Sequence, residues 1–261
     1  MSRRLVLVTG ASLGIGAELA RVFARKGHDL ALAARSRDRL EALADEIAAT
    51  GAPRPLVFEA DLARPGAADA LAEGLARADA QVEILVNNAG FGLIGPVVAL
   101  DRAEQVEMID LNVRALADLT LAFLPQVRAA RGRILNVASI ASFLPGPGMA
   151  VYYATKAFVL SFSEALSHEL RADGVRVTAL CPGPTASGFF TRAGGHIKYA
   201  DTLPGLSAAQ VAQAGYDALM AGRRVVVPGL GFRALASLAR FAPRALSMAI
   251  VGAIQTKRGS V

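Results

Sequence analysis

The sequence predicts an α/β protein: an open, doubly wound parallel sheet of about seven strands with helices on both faces. Three observations carry that expectation. Short apolar runs alternate with stretches of helical period along the 261-residue chain. The runs are near-continuous Val, Ile and Leu rather than alternating, as in strands covered on both faces. A glycine-rich turn, TGASLGIG (residues 9–16), ends the first run and opens the first helical stretch.

The elements follow in order. RLVLVTG (4–10) reads as a strand, and GIGAELARVFARKG (14–27) as a helix stopped by Gly27 as C-cap. DLALAA (29–34) is the second strand. SRDRLEALADEIAATG (36–51) is a helix with Ser36 as N-cap, Leu40, Leu43, Ala44 and Ile47 on one face, and Gly51 as its stop. PLVFEAD (55–61), VEILVNNAG (82–90), RILNVAS (133–139), VRVTALCPG (175–183) and RRVVVPG (223–229) complete the strands. Helices are expected near 64–79, 101–129, 152–173 and 207–221. Right-handed crossovers then build the open sheet. No linker, repeat or low-complexity tract divides the chain, so residues 1–261 are expected to form a single domain. Two segments stand outside the alternation: the loop 188–205 and the tail 230–261.

Composition excludes several functions. Hydrophobic residues make up 53% of the chain, enough for a large core and too many for disorder. The single cysteine, Cys181, rules out an internal disulfide and a cysteine-based metal cluster, and no metal is expected. The net charge of +6 suggests anionic partners. Yet the arginines are scattered, Trp is absent and aromatics are 6%, so nucleic acid is not expected. The N-terminal apolar run, Leu5 to Val8, is too short for a signal peptide. No window offers about twenty uninterrupted apolar residues, so no membrane span is expected and the cytoplasm is the expected location.

The glycine turn suits a phosphate. Its glycines allow a tight turn and close backbone approach, and the helix N-terminus offers N–H groups and a favourable dipole to a pyrophosphate. A rival reading overlaps it: Gly10-Ala-Ser12-Leu-Gly14 is formally the nucleophile elbow of a serine hydrolase, with Ser12 as nucleophile. No earlier strand supplies an oxyanion hole there. His28 sits at a helix–strand junction, His168 mid-helix and His196 in a loop, all poor partners for Ser12. The end of the second strand bears on the cofactor. An acid there would bind the ribose hydroxyls of NAD, but the position is Ala34, followed by Arg35, Ser36, Arg37 and Arg39. Arg35 can meet a 2′-phosphate with charge-assisted hydrogen bonds, so NADP(H) is expected in preference to NAD(H), which stays possible.

Further on, VYYATKAF (151–158) places Tyr152 four residues and Tyr153 three residues before Lys156. Helical spacing brings either ring near the ammonium and does not choose between them.

Taken in order, the glycine turn, the missing acid after strand two, NNAG after strand four, a serine after strand five and the Tyr/Lys pair resemble the short-chain dehydrogenase/reductase family, from residue 5 to about 190. The resemblance implies a Rossmann-like fold with the nucleotide at Gly10, Ser12, Leu13, Gly14, Ile15 and Gly16. It implies an adenine-side acid at Asp61, beside Leu62. It implies that Asn87 to Gly90 support the sheet while Asn88, Ala89 and Gly90 line the cofactor site. Its catalytic set falls on Asn112, Ser139, Tyr152 and Lys156, because Y-x-x-x-K fits Tyr152 and the separation of thirteen fits Ser139 with Tyr152. Ser142 is the weaker serine and Tyr153 a packing neighbour. In CPGPTASGF (181–189) the resemblance assigns Pro182, Gly183, Thr185 and Ser187 to the nicotinamide end. Leu13 departs from NADP-preferring relatives, which often carry a basic residue there, so the 2′-phosphate rests mainly on Arg35.

The implied activity is reversible hydride transfer between nicotinamide and a carbonyl or secondary alcohol. A tyrosine near pKa 10 is a poor acid/base at neutral pH, and a nearby Lys156 ammonium should favour its phenolate. Ser139 would orient the substrate oxygen, Lys156 would also hold the ribose, and Asn112 would position a water. A non-catalytic NADP(H)-binding regulator on the same fold is the alternative, although such a protein would be free to lose these residues. The loop 188–205, with Phe189, Phe190, Gly194, Gly195, His196 and Tyr199, is expected to act as a substrate lid. In the tail, Arg233, Ser237, Arg240 and Arg244 share one helical face, leucines and Phe241 lie on others, and Pro243 should interrupt the helix. The tail is expected to pack on a partner subunit, ahead of covering the pocket or lying on a membrane surface. The expected partners are an apolar carbonyl or alcohol and a second copy of the chain, as homodimer or homotetramer.

Overall fold

The computed structural model describes residues 2–185, 205–239, 241 and 243–257. Ser187, Arg240 and nearly all of the proposed lid lie outside the described residues. The strands are β1 (Arg3–Thr9), β2 (Leu30–Ala34), β3 (Leu56–Glu59), β4 (Ala80–Asn87), β5 (Arg133–Val137), β6 (Arg176–Leu180) and β7 (Val225–Val226). They form one sheet in the order β3-β2-β1-β4-β5-β6-β7, and every pairing is parallel. The order reverses between β1 and β4. The connections there leave on opposite faces, and a crevice opens at the strands' carboxyl ends.

The helices are α1 (Gly14–Arg25), α2 (Arg37–Ala49), α3 (Ala67–Arg77), α4 (Arg102–Ile109), α5 (Leu116–Ala129), α6 (Ala150–Glu169), α7 (Ala208–Met220), α8 (Leu230–Ala239) and α9 (Arg244–Lys257). Both faces of the sheet are covered, as the unalternated strands predicted. Val6 and Val8 of β1 pack with Leu19 and Phe23 of α1, Leu40 of α2 and Val211 of α7. Leu5 and Leu7, on the other face, pack with Leu71 and Leu75 of α3, Phe123 of α5 and Leu166 of α6.

Two local expectations change. Ser36 stands at the N-cap of α2 without a side-chain capping hydrogen bond. The helix expected over 101–129 starts on an Asp101 cap, whose carboxylate accepts from the Glu104 N–H at 2.9 Å, but it passes through a π-helical stretch, Asp110–Ala115, between α4 and α5. Such a stretch inserts a residue and re-aims the side chains within it. Here it carries the buried Asn112. In the tail, Pro243 lies between α8 and α9, just ahead of α9, where its missing N–H costs nothing.

A buried polar ladder joins four elements beneath the crevice. The Asn87 amide donates to Thr120 Oγ1 and to Asn136 Oδ1, both at 3.0 Å. Asn136 donates to Ser163 Oγ at 2.9 Å, and Ser163 donates to the Val159 carbonyl. These four side chains are at most 3% exposed. Asn136→Ala would remove one acceptor of the Asn87 amide and the donor to the Ser163 hydroxyl. It should cost about 2–4 kcal/mol in urea unfolding, and Ser163→Ala should add less to it than it costs alone. Additive losses would show that the ladder does not act as a unit.

Candidate active site

The crevice is laced shut at its base by Thr9, which the sequence analysis did not single out. Thr9 Oγ1 donates to the Val86 carbonyl at 3.1 Å and accepts from the N–H groups of Asn88 at 3.0 Å and Ala89 at 3.2 Å. The Asn88 amide in turn donates to the carbonyls of Thr9 and Gly10, at 2.9 and 3.1 Å. The glycine turn therefore rests on the end of β4. Gly10 has φ of 63°, and a Cβ there would meet the Ala89 Cα at 2.8 Å. A Cβ on Gly16 would collide with the Gly10 carbonyl and the Asn88 amide.

Above this base lies a cleft of about 570 Å³. Gly10, Ser12, Ile15, Asn88, Ala89 and Gly90 line its middle, while Gly14 and Gly16 lie behind the wall. One end carries Leu13, Arg35, Ser36, Asp61 and Leu62, with Arg39 beside them. Asp61 accepts from the Ala63 N–H at 3.2 Å and from Arg64 at 3.3 Å. Arg35 reaches across to α4 and donates to Glu107 Oε1 at 3.3 Å. The other end carries Ser139, Tyr152, Lys156, Pro182, Gly183 and Thr185. Its remaining wall is mainly apolar, with Phe91, Ile140, Ala141, Met149 and Tyr153.

Ser139 follows β5 and starts a 3-10 turn, Ile140–Phe143. Its hydroxyl accepts from the Ala141 N–H at 3.1 Å and is hydrogen-bonded to the Tyr152 phenol. Ser142, the weaker candidate, ties this turn to α6 instead. Its hydroxyl accepts from the Ser139 N–H at 3.3 Å and donates to the Lys156 carbonyl at 2.7 Å. Tyr153 lies edge-on to Tyr152, with ring centroids 6.2 Å apart, and its ring covers the backbone of Gly146. Thr155, also missed in the sequence, donates to the Tyr152 carbonyl at 2.7 Å and accepts from Asn112 at 3.1 Å.

Asn112 lies behind the wall and clamps it. Its Oδ1 accepts from the Phe91 N–H at 3.0 Å, and its amide donates to the Phe91 carbonyl at 2.8 Å. A Cβ on Gly90 would lie 2.8 Å from Asn112 Oδ1 and 3.5 Å from Lys156 Nζ. Gly90 thus lets the backbone pass between these two side chains.

The electrostatics differ from the sequence expectation. Burial pushes the Tyr152 phenol up to about 12, against the downward pull of the Ser139 hydrogen bond. Lys156 does not lower it here, because Nζ donates to the Val137 carbonyl at 2.9 Å and stands 5.9 Å from the Tyr152 ring centroid. Burial lowers Lys156 itself from 10.5 to about 8.

These shifts have opposite effects on stability. Between pH 8 and 10.5 the unfolded chain keeps the Lys156 proton that the folded chain has lost, so stability rises with pH. Above pH 10 the folded chain keeps the Tyr152 proton that the unfolded chain loses, so stability falls. Thermal melts of the cofactor-free protein against Lys156→Met should show the wild type gaining on the variant from pH 8 toward pH 10. The gain should be of the order of 3 kcal/mol at most. A constant difference across that window would show that Lys156 is not held with a depressed pKa.

A glycine-cradled cleft with a Ser, Tyr and Lys at one end defines a nicotinamide-nucleotide oxidoreductase. Residues 4–196 match the short chain dehydrogenase family, and the chain belongs to it. It is 38% identical over 218 residues to sulfoacetaldehyde reductase 2 of Chromohalobacter salexigens, covering 80% of this chain and 85% of that protein. It superposes on a short-chain dehydrogenase from Sphingobium yanoikuyae in complex with NADPH, with a TM-score of 0.81 and 35% identity, over 99% of this chain and 96% of that one. A 3-ketoacyl-(acyl-carrier-protein) reductase from Brucella melitensis complexed with NADH gives a TM-score of 0.76 and 29% identity, over 86% and 95%. The fold is Rossmann-like, and the protein is an oxidoreductase acting on alcohol or carbonyl groups by hydride transfer. The hydrolase reading of Ser12 falls with that assignment.

Proposed function

We propose that this protein reduces an apolar ketone or aldehyde, or oxidises the matching alcohol, with NADP(H) in preference to NAD(H) and Tyr152 as the acid/base. The observation that carries the reading is the Ser139–Tyr152 hydrogen bond on one wall of the cleft, with the Lys156 ammonium buried beside it.

The cleft fits the nucleotide. Backbone approach at Gly10 is open on one side and closed behind by Ala89 and Asn88, which leaves the N–H groups at the start of α1 for a pyrophosphate. Arg35 and Ser36 would hold the 2′-phosphate, Asp61 and Leu62 the adenine side, Lys156 the nicotinamide ribose and Thr185 the carboxamide. Bound there, the nicotinamide supplies or accepts the hydride.

The chain's own residues handle the oxygen and its proton. Ser139 Oγ shares a hydrogen bond with the substrate oxygen and sets it against Tyr152 Oη. In reduction the Tyr152 phenol gives its proton to that oxygen as charge develops there. Lys156, lowered to about 8 and held on the Val137 carbonyl beside the phenol, can pass a proton on. Asn112 keeps Phe91 in place, and Thr155 couples that clamp to the Tyr152 backbone. Phe91, Ile140, Met149 and Tyr153 favour an apolar substituent on the carbonyl carbon.

NADPH oxidation across a panel of aldehydes, ketones and 3-oxoacyl thioesters tests the reading. Tyr152→Phe should lower kcat by at least about a hundredfold while NADPH still binds. Tight NADPH binding without turnover on any compound would favour the regulator instead.

The cofactor preference has its own test. Arg35→Ala should weaken NADPH binding by about ten- to a hundredfold and leave NADH nearly unchanged. Glu107→Gln should move NADPH the other way, tightening it by about two- to fivefold, because it frees Arg35 from a competing carboxylate. Wild-type protein that turns over NADH better than NADPH would overturn the preference.

A further inference from the structure

The net positive charge of this chain comes from one end. All 22 Asp and Glu residues lie at or before Asp217, whereas seven of the 28 Lys and Arg residues lie beyond it. Residues 1–217 are therefore close to neutral, at −1, and the last 44 residues carry +7. That same end forms α8 and α9.

The outward side of α8 carries exposed leucines. On α8, Ala236 is buried and Phe232 packs against Gly183, where a Cβ would lie 2.6 Å from the ring. With 100° per residue, Leu230 and Leu238 project to the opposite side, and Leu235 lies on the flank. All three are exposed, Leu238 at 69%, and Phe241 just beyond is exposed at 87%. On α9, Ser247 and Val251 are buried one turn apart, while Met248 is exposed. Among the described residues, α8 packs one side against the cleft wall and leaves leucines exposed on the other.

We propose that the outer face of α8–α9 docks on an anionic lipid surface. Exposed leucines and a phenylalanine enter the interface, and the acid-free basic segment around them is drawn to the lipid headgroups. Arg233, on α8 itself, is exposed and available for this. A second copy of the chain is a poorer occupant of the same face. A two-fold contact would set the +7 segment against itself, with no carboxylate of its own to compensate. The docking is peripheral, since among the described residues no helix is long and apolar enough to cross a membrane.

Docking has a consequence for the cleft. The inner face of α8 touches Gly183, and Phe232 shares a cluster with Ile140 and Phe143. Gly183 and Ile140 both line the cleft at its Tyr152 end. The bilayer surface would then lie about one helix diameter, roughly 10 Å, from the wall that receives the carbonyl. An apolar substrate could enter from the lipid side.

Co-sedimentation of the full chain with vesicles tests this. Vesicles of phosphatidylcholine alone and of phosphatidylcholine with phosphatidylglycerol are compared at low and high salt. The protein should sediment with the anionic vesicles and be released by salt. The combined change Leu238→Asp and Phe241→Asp should lower the partition coefficient at least about tenfold. Retained NADPH binding and an unchanged circular dichroism spectrum should show that both exposed positions tolerate the change. Arg233→Glu, a single exposed site, should lower it by a smaller factor and steepen nothing else. No sedimentation with phosphatidylglycerol vesicles would overturn the proposal, as would sedimentation that both variants leave unchanged. Self-association that the Leu238/Phe241 variant abolishes, without vesicle binding, would assign the face to a second copy instead. None of these outcomes depends on which nucleotide or carbonyl the enzyme uses.

Discussion

A buried ammonium organises this structure. Lys156 is 6% exposed, and its charge is opposed by burial strongly enough to lower its pKa to about 8. An ammonium in that position needs oxygen ligands fixed in advance, because desolvation is costly. The Val137 carbonyl, at the carboxyl end of β5, supplies one at 2.9 Å. A parallel sheet presents its last carbonyls at that edge, so the end of the sheet is a natural place to hold a cation. Gly90 is bare on the facing side, which lets β4's loop approach Nζ.

Other features keep the ammonium's surroundings from collapsing. Ser142 bonds the Lys156 carbonyl and pins the Ser139 turn to α6. The Asn87–Asn136–Ser163 ladder fixes β4 and β5 against α5 and α6 just beneath. Asn112, placed by the π-helical stretch, holds Phe91 from behind. Each tie is a modest hydrogen bond alone. Together they leave the Tyr152 phenol only a small range of positions near Ser139, which is what the proposed proton transfer to a substrate oxygen needs.

Much of this was legible in the sequence, and the reasons differ by element. The strands were readable because both faces of the sheet are buried, which leaves unbroken apolar runs such as LVLV and ILV. Their order was not, since the reversal at β1 and β4 depends on crossovers that spacing does not encode. Tyr152 and Tyr153 could not be separated by helical geometry. The family register chose Tyr152, and the structure places the neighbouring ring against Gly146. Thr9 and Thr155 were passed over because a threonine at a strand end or inside a helix looks ordinary; only the distances to Asn88 and Asn112 single them out. The π-helical stretch was invisible because its residues, DLNVRA, suit an α-helix equally well. The expected lowering of Tyr152 by Lys156 failed on direction, not proximity: the ammonium points to a carbonyl.

The Arg35–Glu107 pair bears on how strict the proposed nucleotide preference would be. Both side chains are partly exposed, at 50% and 39%, and the contact is 3.3 Å. Pairs of this kind contribute only about 0–1 kcal/mol, because solvent screens them and two long side chains must be held still. A 2′-phosphate brings nearly two negative charges and several acceptor oxygens to the same guanidinium. The exchange of carboxylate for phosphate therefore favours the phosphate, but by less than if Arg35 were unengaged. Leu13 adds no second cation on the turn, and Arg39 is the remaining one on that wall. A competed Arg35 fits the proposed preference better than an exclusion. In the proposed reading, the Glu107 carboxylate, as much as the arginine, then sets how far NADP(H) is preferred over NAD(H).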